Sequence, residues 1–426
     1  MPQITALENG LRIVSERMPH VRSVSVGIWI ATGSQDEPPN LAGISHFIEH
    51  MLFKGTERRT AKDIAVEIDS VGGQINGFTE REMTCYHAHL LGEHLPLAVD
   101  ILSDMVRSPA LRAEDVWLEK NVVIEEINRY EDSPEEKVCD MLLRCIWGGH
   151  PLGRPILGSR KVIERLTPEV LRNYMRRRYT AGRVIASAAG AVDHEEFVAI
   201  VSRALSGLPR GGGPEREPPR PRGGRVTVTK KKDLEQVHIC IGVGACSQLD
   251  ERRYAQAVLD TILGASVSSR LFQEVREKRG LAYAVGSQSV MLKRAGVLEI
   301  YAAVSPKSVG ELIKVVGEQI RSLVKEGPTE EEVERAKSHI KGSFLLALES
   351  PGGVMTRLAR TLYYFGRVVP VEETIEKTEK VTVEEVKKVA AELFSPGRLC
   401  AAAVGPEGKG AWERTFRSAL GEWLGF

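Results

Sequence analysis

The chain has 426 residues, more than one ordinary hydrophobic core serves and enough for two to four domains. Its 42% apolar and 27% charged residues are those of a soluble globular chain, and a formal net charge of +1 offers no basic field to nucleic acid or a membrane surface. No run approaches the roughly 18 apolar residues of a membrane helix, the start "MPQITALENGLRIVSERMP" has no apolar signal core, and the six cysteines form no CxxC, which together point to a reduced, cytoplasmic protein.

The first element that carries chemistry contains "HFIEHMLFKGT". Asn40, after Pro39, is the expected N-cap and Gly55 the stop, so the pattern predicts a helix over 41–53. At 100° per residue, Ile44, Phe47, Ile48, Met51 and Leu52 make one apolar stripe, with His46, Glu49 and His50 together on the opposite face. His46 and His50 are one turn apart, the separation at which two imidazoles can grip one zinc ion, and Glu49 between them is within reach of a metal-bound water. The plainer alternative is a polar helix face with two ordinary histidines. A zinc site also needs a third protein ligand and an open fourth position.

Next, "VGGQINGFTEREMTCYHAHL" reads as a glycine turn and a strand, with Thr84, Tyr86 and Ala88 alternating against Cys85, His87 and His89. His87 and His89 are a rival metal pair, but no carboxylate accompanies them in the pattern. "AEDVWLEKNVVIEEINRYE" (113–131) predicts a helix that opens with acidic residues, as its dipole favours. Glu119 and Glu126 are seven apart and share a face, while Glu125 points about 100° away. One carboxylate could bind metal and the other brace a ligand histidine, although most glutamates on such a helix are simply solvated. "GHPLGRPILGS" (149–159) reads as a loop without assigned chemistry.

"PRGGGPEREPPRPRGGR" fills 209–225 and can hold no periodic element, so it is expected to be a linker between a domain at 1–208 and one at 226–426. Both halves open alike: "SVSVGIWIATGSQDEPPNLAGISHFIEHML" and "QVHICIGVGACSQLDERRYAQAVLDTILGA" each give a β-branched strand, a turn with Ser-Gln, an acidic loop and a helix. The expected architecture is therefore α+β, a duplicated unit of about 200 residues with helices on one side of a mostly antiparallel sheet. The stretch opposite "HFIEH", near "AVLDTILG", has neither His nor Glu, so the fold itself does not demand the polar cluster. In "SSRLFQEVREKRGLAYAVGS", Arg276 falls in the last turn of a helix stopped by Gly280, and Tyr283 begins a strand. By composition alone they are a helix-end cation and a strand residue.

Taken together, "GISHFIEHMLFKGT", "VGGQINGFTEREMTCYHAHL", "LEKNVVIEE" and "SSRLFQEVREKRGLAYAVGS" resemble the inverted-zincin metallopeptidases of the pitrilysin family, in the branch of the mitochondrial processing peptidase and its bacterial relatives. The resemblance runs over nearly all of the chain. It implies His46, His50 and Glu126 as ligands of one zinc per chain, Glu49 as general base on a zinc-bound water and Glu119 as the supporting carboxylate. The 75 residues between His50 and Glu126 are the family's usual spacing. It also implies that Arg276 and Tyr283 reach the substrate carbonyl. Asn76, Phe78 and Thr79 would lie on an edge strand that pairs with extended peptides. Two fold-halves per chain, of the four in the family's closed chamber, imply a homodimer cleaving short or unfolded peptides. The rival readings are a non-catalytic peptide-binding or assembly subunit of the same fold, a subunit active only with a partner protein, and a metal-storage or regulatory protein.

Overall fold

The computed structural model describes residues 1–213, 216–408 and 410–424. The chain divides into two compact units. The first contains β1 (Gln3–Ala6), β2 (Arg12–Arg17), β3 (Ser23–Ile30), β4 (Gln74–Thr79), β5 (Thr84–Leu91) and β6 (Val184–Gly190), in the sheet order β1-β2-β6-β3-β5-β4. Only β2 and β6 run parallel. The second contains β7 (Arg225–Lys231), β8 (Val237–Gly244), β9 (Ala282–Met291), β10 (Gly296–Val304) and β11 (Cys400–Pro406), ordered β7-β11-β8-β10-β9, with β7 and β11 the parallel pair. Without β1, the first order maps onto the second strand for strand. The duplication read from the sequence is thus present in the topology.

Strand alternation sends apolar residues to both faces of each sheet. In the first unit Ile13, Val24, Val26, Ile28, Ile30, Tyr86 and Ala88 share a core with the helices Ile44–Leu52 and Leu95–Arg107. On the reverse face Val14, Trp29, Cys85, Ile185 and Ala189 meet Val354, Met355, Leu358 and Leu362 of the helix Pro351–Phe365. The second unit repeats the scheme, its reverse face covered by Val138, Leu142 and Ile146 of the helix Pro134–Trp147.

This changes the expected domain boundaries. The units are Met1–Asn128 with Arg154–Arg216 and Leu345–Val369, and Arg129–Gly153 with Glu217–Phe344 and Pro370–Phe426. One division does fall inside the expected linker, of which residues 214 and 215 lie outside the described residues; the rest is without helix or strand up to β7. Each unit also takes one helix from the opposite half of the sequence. The reason is burial: a half's own helices cover one face, and the apolar reverse face gains about 25 cal/mol per Å² only when a further helix closes it. Among the described residues no helix is long and apolar enough to cross a membrane.

Candidate metal centre

The histidine-bearing helix runs from Ile44 to Leu52, shorter at its start than the sequence suggested. Asn40 belongs to a separate 3₁₀ turn, and the N-cap is Gly43 in the left-handed region (φ 98°). A β-carbon there would meet the Leu157 carbonyl oxygen at 2.5 Å, so both conformation and space require glycine. With no capping side chain at Gly43, the buried Glu37 carboxylate does the capping: it accepts the amides of Gly43 (2.7 Å) and Ser45 (2.8 Å). Burial pushes Glu37 up to about 7 despite those bonds. Arg154 donates to the Glu37 carbonyl at 2.9 Å, and Leu157 and Gly158 lie against Gly43. The loop 149–159, given no role by the sequence, thus holds the start of this helix.

The polar face is not simply a wet one. His46 is buried, 8% exposed, while Glu49 and His50 are half-buried. His46 Nε2 and His50 Nε2 each lie 3.6 Å from the same oxygen, Oε2 of Glu126. Glu126 comes from the long helix Ala113–Asp132, as does the buried Glu119, which accepts from His50 Nδ1 at 2.8 Å. An ionised carboxylate only accepts, so that bond fixes the His50 proton on Nδ1 and leaves a lone pair on Nε2. Burial and the neighbouring His50 push His46 down to about 4, so its imidazole is neutral near pH 7. Acceptor atoms therefore converge from three side chains. The 3.6 Å gaps are too long for hydrogen bonds. They are close to the roughly 3.4 Å between donors that sit 2.0–2.2 Å from one tetrahedral ion. His46, His50 and Glu126 fit a zinc ion.

The surrounding groups set the charge balance. Burial alone would lower the pKa of His50, but the Glu119 bond and the charges of Glu119, Glu49 and Glu126 raise it overall. Burial favours the neutral form of Glu119, yet His50 and Lys54, whose Nζ is 2.5 Å from Oε2, hold it ionised below the usual range. Glu49 is raised by burial, against the Thr79 hydroxyl, which donates to its Oε2 at 2.6 Å. Lys54, one turn after His50, escaped the sequence reading as part of this site, and Thr79, expected as a substrate contact, was not foreseen as a partner of Glu49.

The strand β4 is at the sheet edge, as expected, but its three candidate contacts do not act alike. Thr79 binds Glu49. Phe78 packs edge-on against Trp29 (5.6 Å between ring centres) and near His87 (5.9 Å), toward the reverse face. Asn76 accepts the amide of Gly77 at 2.8 Å. A β-carbon on Gly77 would meet Phe53 at 3.1 Å and Glu49 Cγ at 3.2 Å, so this glycine makes room for the catalytic candidate. His89 bonds Ser25 at 2.8 Å, and the rival pair His87 and His89 is absent from the metal-capable clusters among the described residues.

In the second unit Arg276 is the next-to-last residue of a π-helical segment, Phe272–Glu277, rather than of an α-helix, and Tyr283 is in β9. The Arg276 guanidinium lies 4.8 Å from the ring centres of both Phe272 and Tyr283, and Tyr283 is 81% exposed. The helix Arg253–Asp260 follows β8 as the histidine helix follows β3.

Comparison with known proteins agrees with this picture. The model of "Insulinase (Peptidase family M16)" matches residues 12–160, and that of "Peptidase M16 inactive domain" matches 165–340. An uncharacterized zinc protease of Mycobacterium tuberculosis is 43% identical over 96% of this chain and 94% of its own. One of Bacillus subtilis is 40% identical over 91% of this chain and 94% of its own. Two solved structures share the fold at a TM-score of 0.89. The first, titled peptidase M16 inactive domain from Pseudomonas fluorescens, is 22% identical and covers 96% of this chain and 98% of its own. The second, a protease from Helicobacter pylori, is 21% identical and covers 95% and 99%.

Proposed function

The chain belongs to peptidase family M16, and from that premise we propose that it is a zinc-dependent endopeptidase acting on short or unfolded peptides. The observation that carries this reading is the convergence of His46 and His50 on one oxygen of Glu126, with Glu49 on the same helix as the two histidines. His46, His50 and Glu126 would hold one zinc, whose Lewis acidity lowers the pKa of a bound water toward 7. Glu49, oriented by Thr79, takes a proton from the attacking water and returns it to the leaving amine. Arg276 and Tyr283 hold the oxyanion; their stacked, exposed pairing supports that role. As an edge strand, β4 is placed to pair with an extended peptide, a mode of binding with little sequence preference.

The test is cleavage of a quenched peptide by the purified chain, abolished by a chelator and restored by zinc. Hydrolysis that persists after complete metal removal contradicts the proposal.

Glu119→Gln removes the charge that holds His50 and Lys54, and is expected to weaken zinc binding about 10- to 100-fold in a chelator competition. Glu125→Gln is the control, because Glu125 is exposed and should change nothing. Thr79→Val frees Glu49 and is expected to lower kcat about tenfold with KM little changed, while Thr79→Ser restores it. Equal loss in both variants would reassign Thr79 to packing.

The further proposals are a homodimer and a cytoplasmic location. The first is supported by Trp117, Leu118 and Val122, each at least half exposed on the helix that carries Glu126, an apolar strip of the kind a partner covers. Light scattering that finds only a 47.0 kDa species at micromolar concentration contradicts it. The second is supported by six cysteines that are all free thiols.

A further inference from the structure

We propose that Cys139, Cys240 and Glu299 form a second site, for a thiophilic divalent cation such as zinc, in the second unit. The three side chains come from three elements: the helix Pro134–Trp147, β8 and β10. Their donor atoms all lie within 4.8 Å of one another, and Cys240 Sγ approaches Glu299 Oε2 at 4.0 Å. Zinc bonds of about 2.3 Å to sulfur and 2.0–2.2 Å to oxygen set tetrahedral donors roughly 3.5 to 3.8 Å apart, so small side-chain rotations close the set.

The register explains the convergence. Cys240 stands opposite Tyr301, and Glu299, two residues before Tyr301, stands opposite Gly242, which brings no side chain to the face. That face is otherwise a core of Val138, Leu142, Val297, Ala402 and Val404 under the helix. Free cysteine is common in such a core, but a carboxylate directed at two thiols is not. His238, on the same face, is already engaged with the Tyr301 hydroxyl at 2.8 Å. Three donors then leave one position for solvent. Two thiolates select a thiophilic ion over calcium or magnesium.

The peptidase site has no sulfur donor, so cobalt(II) separates the two. Fully reduced His50→Ala protein, with the first site impaired, is titrated with cobalt(II) and then zinc. The expected result is one equivalent bound with a near-ultraviolet thiolate-to-cobalt charge-transfer band. Adding Cys240→Ser should abolish the band, and Glu299→Gln should weaken binding at least tenfold with the fold intact by circular dichroism. Cys246→Ser should leave the band unchanged. A titration without the band, a band that survives Cys240→Ser, or a Cys139–Cys240 disulfide in the protein as isolated overturns the proposal.

Discussion

Glu49→Gln is expected to abolish nearly all peptide cleavage while leaving zinc content unchanged. Gln keeps the size of the side chain and can still accept the Thr79 hydroxyl, which is 2.6 Å from Glu49, but it cannot take a proton from water. General-base catalysis contributes about 10²- to 10⁴-fold. Loss at the upper end, about 5 kcal/mol of transition-state stabilisation, is expected because Glu49 serves both proton transfers. None of the donors that converge on Glu126 Oε2 is altered, so elemental analysis should still find the metal. KM should change little. A variant with wild-type zinc and cleavage within tenfold of wild type removes Glu49 from the mechanism.

His50→Ala is expected to cost the zinc itself. Four-ligand structural zinc sites are worth about 10 to 16 kcal/mol, so one ligand accounts for roughly 3 kcal/mol, about 10²-fold or more in affinity. The substitution also leaves Glu119 buried beside Lys54 with its histidine partner gone. Zinc should raise the melting temperature of the wild type and have a much smaller effect in His50→Ala, because ligand binding stabilises only the state that binds. The same pair predicts the pH dependence of metal uptake. His50 is raised, so below its raised pKa the imidazole carries a proton that zinc must displace. Affinity should fall about tenfold per pH unit on that acid side and level off above it. His46, pushed down to about 4, competes only in stronger acid. Chelator competition from mildly alkaline to mildly acidic pH measures both. An affinity independent of pH across that range would mean that His50 is not a ligand.

What was legible in the sequence was whatever depends on short spacing. Positions 46, 49 and 50 must share one side of any helix through them, because each residue turns the chain by 100°. The alternation of Cys85, His87 and His89 against Tyr86 and Ala88 held in β5 for the same kind of reason, a period of two. The duplication could be read because two copies of one pattern lie in one chain, and the strand order of the two sheets repeats accordingly. Where a spacing rule met backbone detail it failed: Asn40 looks like a cap, but Gly43, with Glu37 six residues before it, starts the helix.

By residue pattern alone Glu119 and Glu126 are interchangeable; the family resemblance implied their separate roles, and the tertiary structure sets Glu126 near both histidines and Glu119 against His50 Nδ1. The two share a helix face, and no local rule says which carboxylate meets both histidines and which grips one Nδ1. That depends on how the helix Ala113–Asp132 lies beside the helix Ile44–Leu52, a matter of packing between segments many residues apart. For the same reason Lys54, the loop 149–159 and the bond from Thr79 to Glu49 were unannounced, and each unit's reverse face drew its helix from the other half of the chain. The sequence by itself determined the donor types and their local phase, because covalent geometry sets those. The packed core decided which donors meet, because burying apolar surface brings distant segments together.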